Sequence, residues 1–152
     1  MERQLKFSCL SDSSNGVLSP DDLFFFYYGI GLDTLMGTPA LYQESNEIIN
    51  FIRNRNLTID AIEQDKLPSS FEEGKIYFVK YSTEDKYNSF YRHLRNAFAH
   101  YHINHSSNYY IMNDYSDDAG TKKTMIGKIL CQDLKDLIDL FYKQREISDA
   151  NY

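Results

Sequence analysis

The stretch Phe90–His102, F-Y-R-H-L-R-N-A-F-A-H-Y-H, constrains this chain more than any other. Its apolar residues Phe90, Leu94, Ala97, Phe98 and Tyr101 recur at i, i+4, i+7, i+8 and i+11, the spacing of one buried helix face. At about 100° per residue, Arg92, His93, Arg95, Asn96 and His100 fall on the opposite face, with Ala99 among them. Such a helix lies on a core along one side. Along the other it shows guanidinium groups, imidazoles and an amide on one exposed stripe. The small Ala99 lets a second backbone or a substrate come close.

The surrounding charge points the same way. No Asp or Glu occurs from Lys86 to Asn113, although the chain has 22 acids in 152 residues. An even spread would put about four acids there. All four histidines, His93, His100, His102 and His105, fall inside that window. In a chain of net charge −6 this is a local neutral-to-positive island where an anion can sit without repulsion. The same overall charge excludes binding to nucleic acid through a broad basic surface, so any RNA contact is expected to be local and salt-dependent.

R-N-A-F-A-H resembles the signature of the HEPN family (higher eukaryotes and prokaryotes nucleotide-binding domains). That signature is an Arg, usually a polar neighbour, and a His a few positions on; the matching residues here are Arg95, Asn96 and His100. The likeness runs from Lys86 to Arg145: an amphipathic helix ends in H-L-R-N-A-F-A-H, a hairpin-like segment Y-Y-I-M-N-D-Y follows, and a terminal helix closes the chain. This order is similar to that of bacterial HEPN-type nucleases. One position departs, since many members place Gly directly after the His and this chain has Tyr101.

The resemblance implies a metal-independent endoribonuclease with a composite site formed by two motif helices in a homodimer. Carried over, His100 is the acid/base, Arg95 holds the phosphate, and Asn96 orients the phosphate or His100. The product class is a 2′,3′-cyclic phosphate end, and no cofactor is implied. A toxin or antiphage effector restrained by an antitoxin or regulatory partner is the matching context. The alternative is a non-cleaving HEPN module that binds nucleotide or RNA, or mediates dimerisation. Some toxin members carry a Tyr two places after the His, where a partner nucleotidyltransferase adenylylates it; His102 stands there, so that control has no support at this position.

The residue types suit the chemistry. Cleavage without a metal needs a base for the ribose 2′-OH, an acid for the leaving 5′-oxygen and positive charge on the phosphate. Histidine serves as either proton carrier because its reference pKa lies near working pH. Arginine offers a planar, two-point phosphate contact. Arg92, His93, Tyr101 and His102 are candidate substrate contacts. Three have a plainer reading: an exposed charge for Arg92, a supporting or surface residue for His93, and, preferred, core for Tyr101. His100, His102 and His105 match no common zinc spacing and have no Cys nearby, so no metal site is expected.

From the start of the chain, Met1–Ser19 contains D-S-S-N-G and reads as an irregular arm. Ser19-Pro20-Asp21-Asp22 opens a buried helix over Pro20–Met36, and Thr38-Pro39 caps a second helix to Asn54. Asn54–Gly74 is mixed, with a short helical turn at Ile59–Asp65. Ile76–Tyr81 has β-propensity but no clear partner. Ser82 or Thr83 is the expected cap of the motif helix. Tyr109–Tyr115 and Lys123–Leu130 flank Gly120 as a hairpin, and Cys131–Arg145 forms the last helix. The expected fold is a mainly α, HEPN-like bundle of about four helices with one hairpin, a single domain over residues 20–146. Cys9 and Cys131 read as free thiols, and no segment has the length of a membrane span or the pattern of a signal peptide. The expected compartment is the cytoplasm.

Overall fold

The computed structural model describes residues 45–81, 85–100, 102–117 and 119–150. The expected arm, the helix at Pro20–Met36, the cap at Thr38-Pro39, the domain boundary at residue 20 and Tyr101 lie outside them. The described chain runs through α1 (Asn46–Asn54), β1 (Thr58–Ala61), a 3-10 turn (Gln64–Lys66), β2 (Lys75–Phe78) and α2 (Lys86–Ala99). β3 (Ile103–Ser106), β4 (Tyr109–Tyr115), β5 (Lys123–Leu130) and α3 (Cys131–Ala150) complete it.

The five strands make one mixed sheet in the order β1-β2-β5-β4-β3. β1 and β2 are parallel and the other neighbours antiparallel. This overturns the expected mainly α bundle: the described residues form an α/β fold. The expected hairpin is present with its expected bounds, but as the centre of a sheet rather than a lone ribbon. Two short strands escaped the sequence reading. T-I-D-A, placed in a helical turn, is β1, and I-N-H-S, too polar to suggest a strand, is β3. Segments of four residues owe their conformation to pairing, not to their own pattern. β2 likewise has partners on both sides, where Ile76–Tyr81 had suggested none.

One sheet face carries the core. Ile59, Ile76, Phe78, Tyr110, Met112, Met125 and Ile129 cluster with buried side chains of all three helices. At the centre, a Cβ on Gly127 would lie 2.8 Å from Ile76 Cγ1 and 3.1 Å from Met112 Cγ, so glycine lets the flanking side chains close over β5.

Asp85, not Ser82 or Thr83, caps α2, accepting from the Tyr87 and Asn88 N–H groups at 3.0 Å each. The expected stripe of Phe90, Leu94, Ala97 and Phe98 is buried, joined by Tyr87 and Tyr91. Phe90 packs on Phe78 of β2 with ring centroids 5.8 Å apart, and Tyr91 meets Phe141 of α3 edge-on at 4.4 Å. Each such ring contributes about 1.5–3 kcal/mol by leaving water. α2 is thereby clamped between the sheet and α3.

In α3, Leu134, Leu137, Ile138 and Phe141 are buried as their spacing predicts. Asp133 and Lys135, charged residues on the flanks of that stripe, are also buried. Asp133 is covered because Arg55, just after α1, donates to it at 2.7 Å and to Asp136 at 3.1 Å, tying the two helices together. α1 begins at Asn46 rather than running on from the cap expected at Thr38-Pro39: Ser45 is extended and caps it, its hydroxyl accepting from the Ile48 N–H at 3.2 Å.

Candidate active site

The C-terminal half of α2 lies against β4 and the segment that follows β2, and this neighbourhood decides what each motif side chain can do. His93 was expected on the exposed stripe. Instead it is 1% exposed, because it stands three residues after Phe90 and four before Ala97, on the margin of the apolar stripe. Its Nδ1 lies 2.7 Å from Asp114 Oδ2 and its Nε2 2.7 Å from the Val79 carbonyl oxygen. Tyr81 stacks on its ring at 4.8 Å. The Val79 carbonyl can only accept, so Nε2 carries a hydrogen. A second hydrogen lies between Nδ1 and Oδ2, since two bare lone pairs would repel at that distance. The pair is therefore neutral as a whole.

Asp114 was not among the candidate residues. It is 2% exposed on β4, with Oδ1 accepting from the Tyr115 N–H at 2.9 Å. A signal for it exists in the sequence. β4 alternates, and Tyr110, Met112 and Asp114 point to the same buried face. A carboxyl group in phase with core residues requires partners, and it stands at the first position after the acid-free window.

Arg95 and Asn96 are half-buried and joined. Arg95 donates from Nε at 3.3 Å and from Nη2 at 2.9 Å to Asn96 Oδ1. The Asn96 Nδ2 group faces Asp114 Oδ2 at 3.4 Å. Arg92, also half-buried, places its guanidinium carbon 5.2 Å from the Tyr81 ring centroid.

His100 ends the helix. It is exposed, and its N–H returns to the Asn96 carbonyl at 3.0 Å. The chain then turns at once into β3, held by the His102 N–H on the Ala97 carbonyl at 2.8 Å and by the Asn113 N–H on the His102 carbonyl at 3.0 Å. The rings of His100 and His102 lie 6.0 Å apart and nearly parallel, and His102 meets Tyr115 edge-on at 5.0 Å. Among the described residues His102 Nδ1 is buried without a hydrogen-bond partner. His105 stands apart, further along the hairpin against Tyr110.

The helix end that carries His100 bears about −0.5 elementary charge from its free carbonyls. It attracts no anion by itself, so a phosphate there depends on Arg95 and Arg92. Among the described residues no group of three His, Cys, Asp or Glu is placed to hold a metal ion, and no helix is long and apolar enough to cross a membrane.

An exposed imidazole at the end of a helix that also carries a joined guanidinium and amide, anchored to a sheet, is an arrangement suited to a phosphodiester. The chain matches the HEPN pEK499 p136 family over residues 32–148, and it belongs to the HEPN family. That membership places it among nuclease or nucleotide-binding modules, in a family associated with ribonuclease activity. Neither the curated proteins nor the solved structures contained a match.

Proposed function

We propose that the protein is a metal-independent endoribonuclease that cleaves RNA through its own 2′-OH at a composite site in a homodimer. The observation that supports this best is the division of labour on α2. Arg95 and Asn96 are joined and Asn96 faces Asp114, while His100 is exposed at the helix end. Arg95 holds the scissile phosphate. His100 takes the 2′-OH proton as the 2′-oxygen bonds to phosphorus. The bond from phosphorus to the 5′-oxygen breaks, and that oxygen receives a proton from the second acid. Two copies of α2 provide two His100 and two Arg95 around one phosphate, which covers both proton transfers. Asn96 orients Arg95, and Arg92, His102 and Tyr101 are the proposed flanking contacts. His93, enclosed with both ring nitrogens engaged, supports the site from inside rather than touching RNA.

The setting that fits is a cytoplasmic toxin or antiphage effector held in check by a partner protein. Its test is growth: the wild-type chain slows cells when expressed, and His100→Ala does not. Equal growth with both variants favours the non-cleaving module.

A further inference from the structure

Asp114 stands outside the motif and has no chemical step in the proposed reaction, yet the Asn96 and Tyr81 side chains and two backbone groups converge on it and its partner. We infer that Asp114 is a positioning residue: paired with His93, it fixes the Asn96 amide and, through that amide, the guanidinium of Arg95. The consequence for cleavage rests on the proposed function; the geometric claim does not.

The chain of contacts begins at fixed backbone. The Val79 carbonyl holds His93 Nε2, and His93 Nδ1 holds Asp114 Oδ2, at 2.7 Å in both contacts. The Tyr115 N–H fixes the other carboxyl oxygen at 2.9 Å. A buried oxygen so held selects one orientation of the Asn96 amide, because only the NH2 end can face it, here at 3.4 Å. The carbonyl end then points outward and receives the two Arg95 donors. Among the described residues, Asp114 is the group on that side that distinguishes the two amide orientations. In the reversed one an NH2 group would face a guanidinium, donor against donor. An arginine side chain has many rotamers to lose, so an acceptor aimed in advance matters for a group that must meet a phosphate in one pose. Because the His93–Asp114 pair is neutral as a whole, it steers Arg95 without setting a net negative charge beside the phosphate.

The test replaces Asp114 by leucine, which has a similar shape and no oxygen, and reads the Arg95 Nε–H by nitrogen-15 NMR. The resonance is assigned by its loss in Arg95→Lys. In the wild type this hydrogen should exchange with water about tenfold more slowly than that of the exposed Arg53, as expected for a held donor. In Asp114→Leu it should exchange at the Arg53 rate, with the circular dichroism spectrum unchanged. RNA cleavage should fall about tenfold in Asp114→Leu, and should fall no further when Asp114→Leu is added to Arg95→Ala, as for residues acting through one group. A folded Asp114→Leu with unchanged Arg95 exchange overturns the proposal, as does a loss that multiplies with that of Arg95→Ala. If the single variant does not fold, His93→Leu with Asp114→Leu removes the pair while filling its space and is read in the same way. Failure of both to fold assigns the pair to folding alone and overturns the positioning role. A wild-type protein that cleaves no RNA overturns the functional reading, and Arg95 exchange still decides the role of Asp114.

Discussion

His93 and His100 are two imidazoles on one helix, about two turns apart, and their surroundings make them different reagents. His93 is enclosed, with both ring nitrogens committed and a tyrosine ring stacked on it. It has no face to offer a substrate and no route for passing a proton outward. His100 stands at the last turn in solvent, close to His102, where its N–H closes the helix on the Asn96 carbonyl. The contrast teaches that the motif helix has an anchoring half and an exposed half, which the proposed function makes the reacting one. Arg95 and Asn96 lie between the two and connect them.

The largest expected effects belong to the reacting half. His100→Ala should lower RNA cleavage by about 10²–10⁴-fold, the usual cost of removing an acid/base group, while circular dichroism stays native. Arg95→Ala should be comparably damaging. Arg95→Lys should recover only part of the loss, since an ammonium cannot make the planar two-point contact. If both halves responded alike, with His100→Ala unfolding the protein, the division would fail.

The anchoring half should show the reverse. His93→Ala leaves Asp114 buried without its partner, and breaking such a pair costs about 3–5 kcal/mol. Urea denaturation should show that loss in His93→Ala and less than about 0.5 kcal/mol in His100→Ala, an exposed position. Equal stability of the two variants would erase the contrast.

The sequence showed the two halves unevenly. The stripe of Phe90, Leu94, Ala97 and Phe98 was legible because a helix imposes its period on whatever core it meets. So was the hairpin over Tyr109–Tyr115 and Lys123–Leu130, and the spacing of Arg95, Asn96 and His100 pointed to the HEPN family that the chain belongs to. His93 was misplaced because helical geometry gives the centre of the buried face but not its width. The wall built by β4 and Val79 extends that face to a polar residue. The sheet was missed for a related reason. β1 and β3 are four residues long and take their conformation from neighbours far along the chain, as in the pairing of Thr58–Ala61 with Lys75–Phe78. Asp114 was within reach, as a carboxyl in phase with Tyr110 and Met112, but local pattern does not name its partner.

Smaller effects sharpen the contrast at its edges. Light scattering at micromolar concentration should give about twice the 17.8 kDa chain mass, consistent with two motif helices meeting. Ala99→Trp, at the exposed end beside His100, should weaken that association by about 1–3 kcal/mol through overpacking and lower cleavage in step. A monomer that cleaves at full rate would remove the composite site. His105→Ala should be nearly silent in both stability and cleavage, because His105 is exposed on β3 and contacts Tyr110 rather than the motif.

The central claim is attack by the RNA's own 2′-OH without a metal. Its most direct test is a labelled single-stranded RNA incubated with the wild-type protein in excess EDTA, with the product ends identified. The expected result is cleavage at the rate seen with Mg²⁺, leaving 2′,3′-cyclic phosphate ends, and no cut wherever the nucleotide before the scissile bond is 2′-deoxy. Cleavage that persists at 2′-deoxy positions, or that returns only when metal is added back, would contradict it.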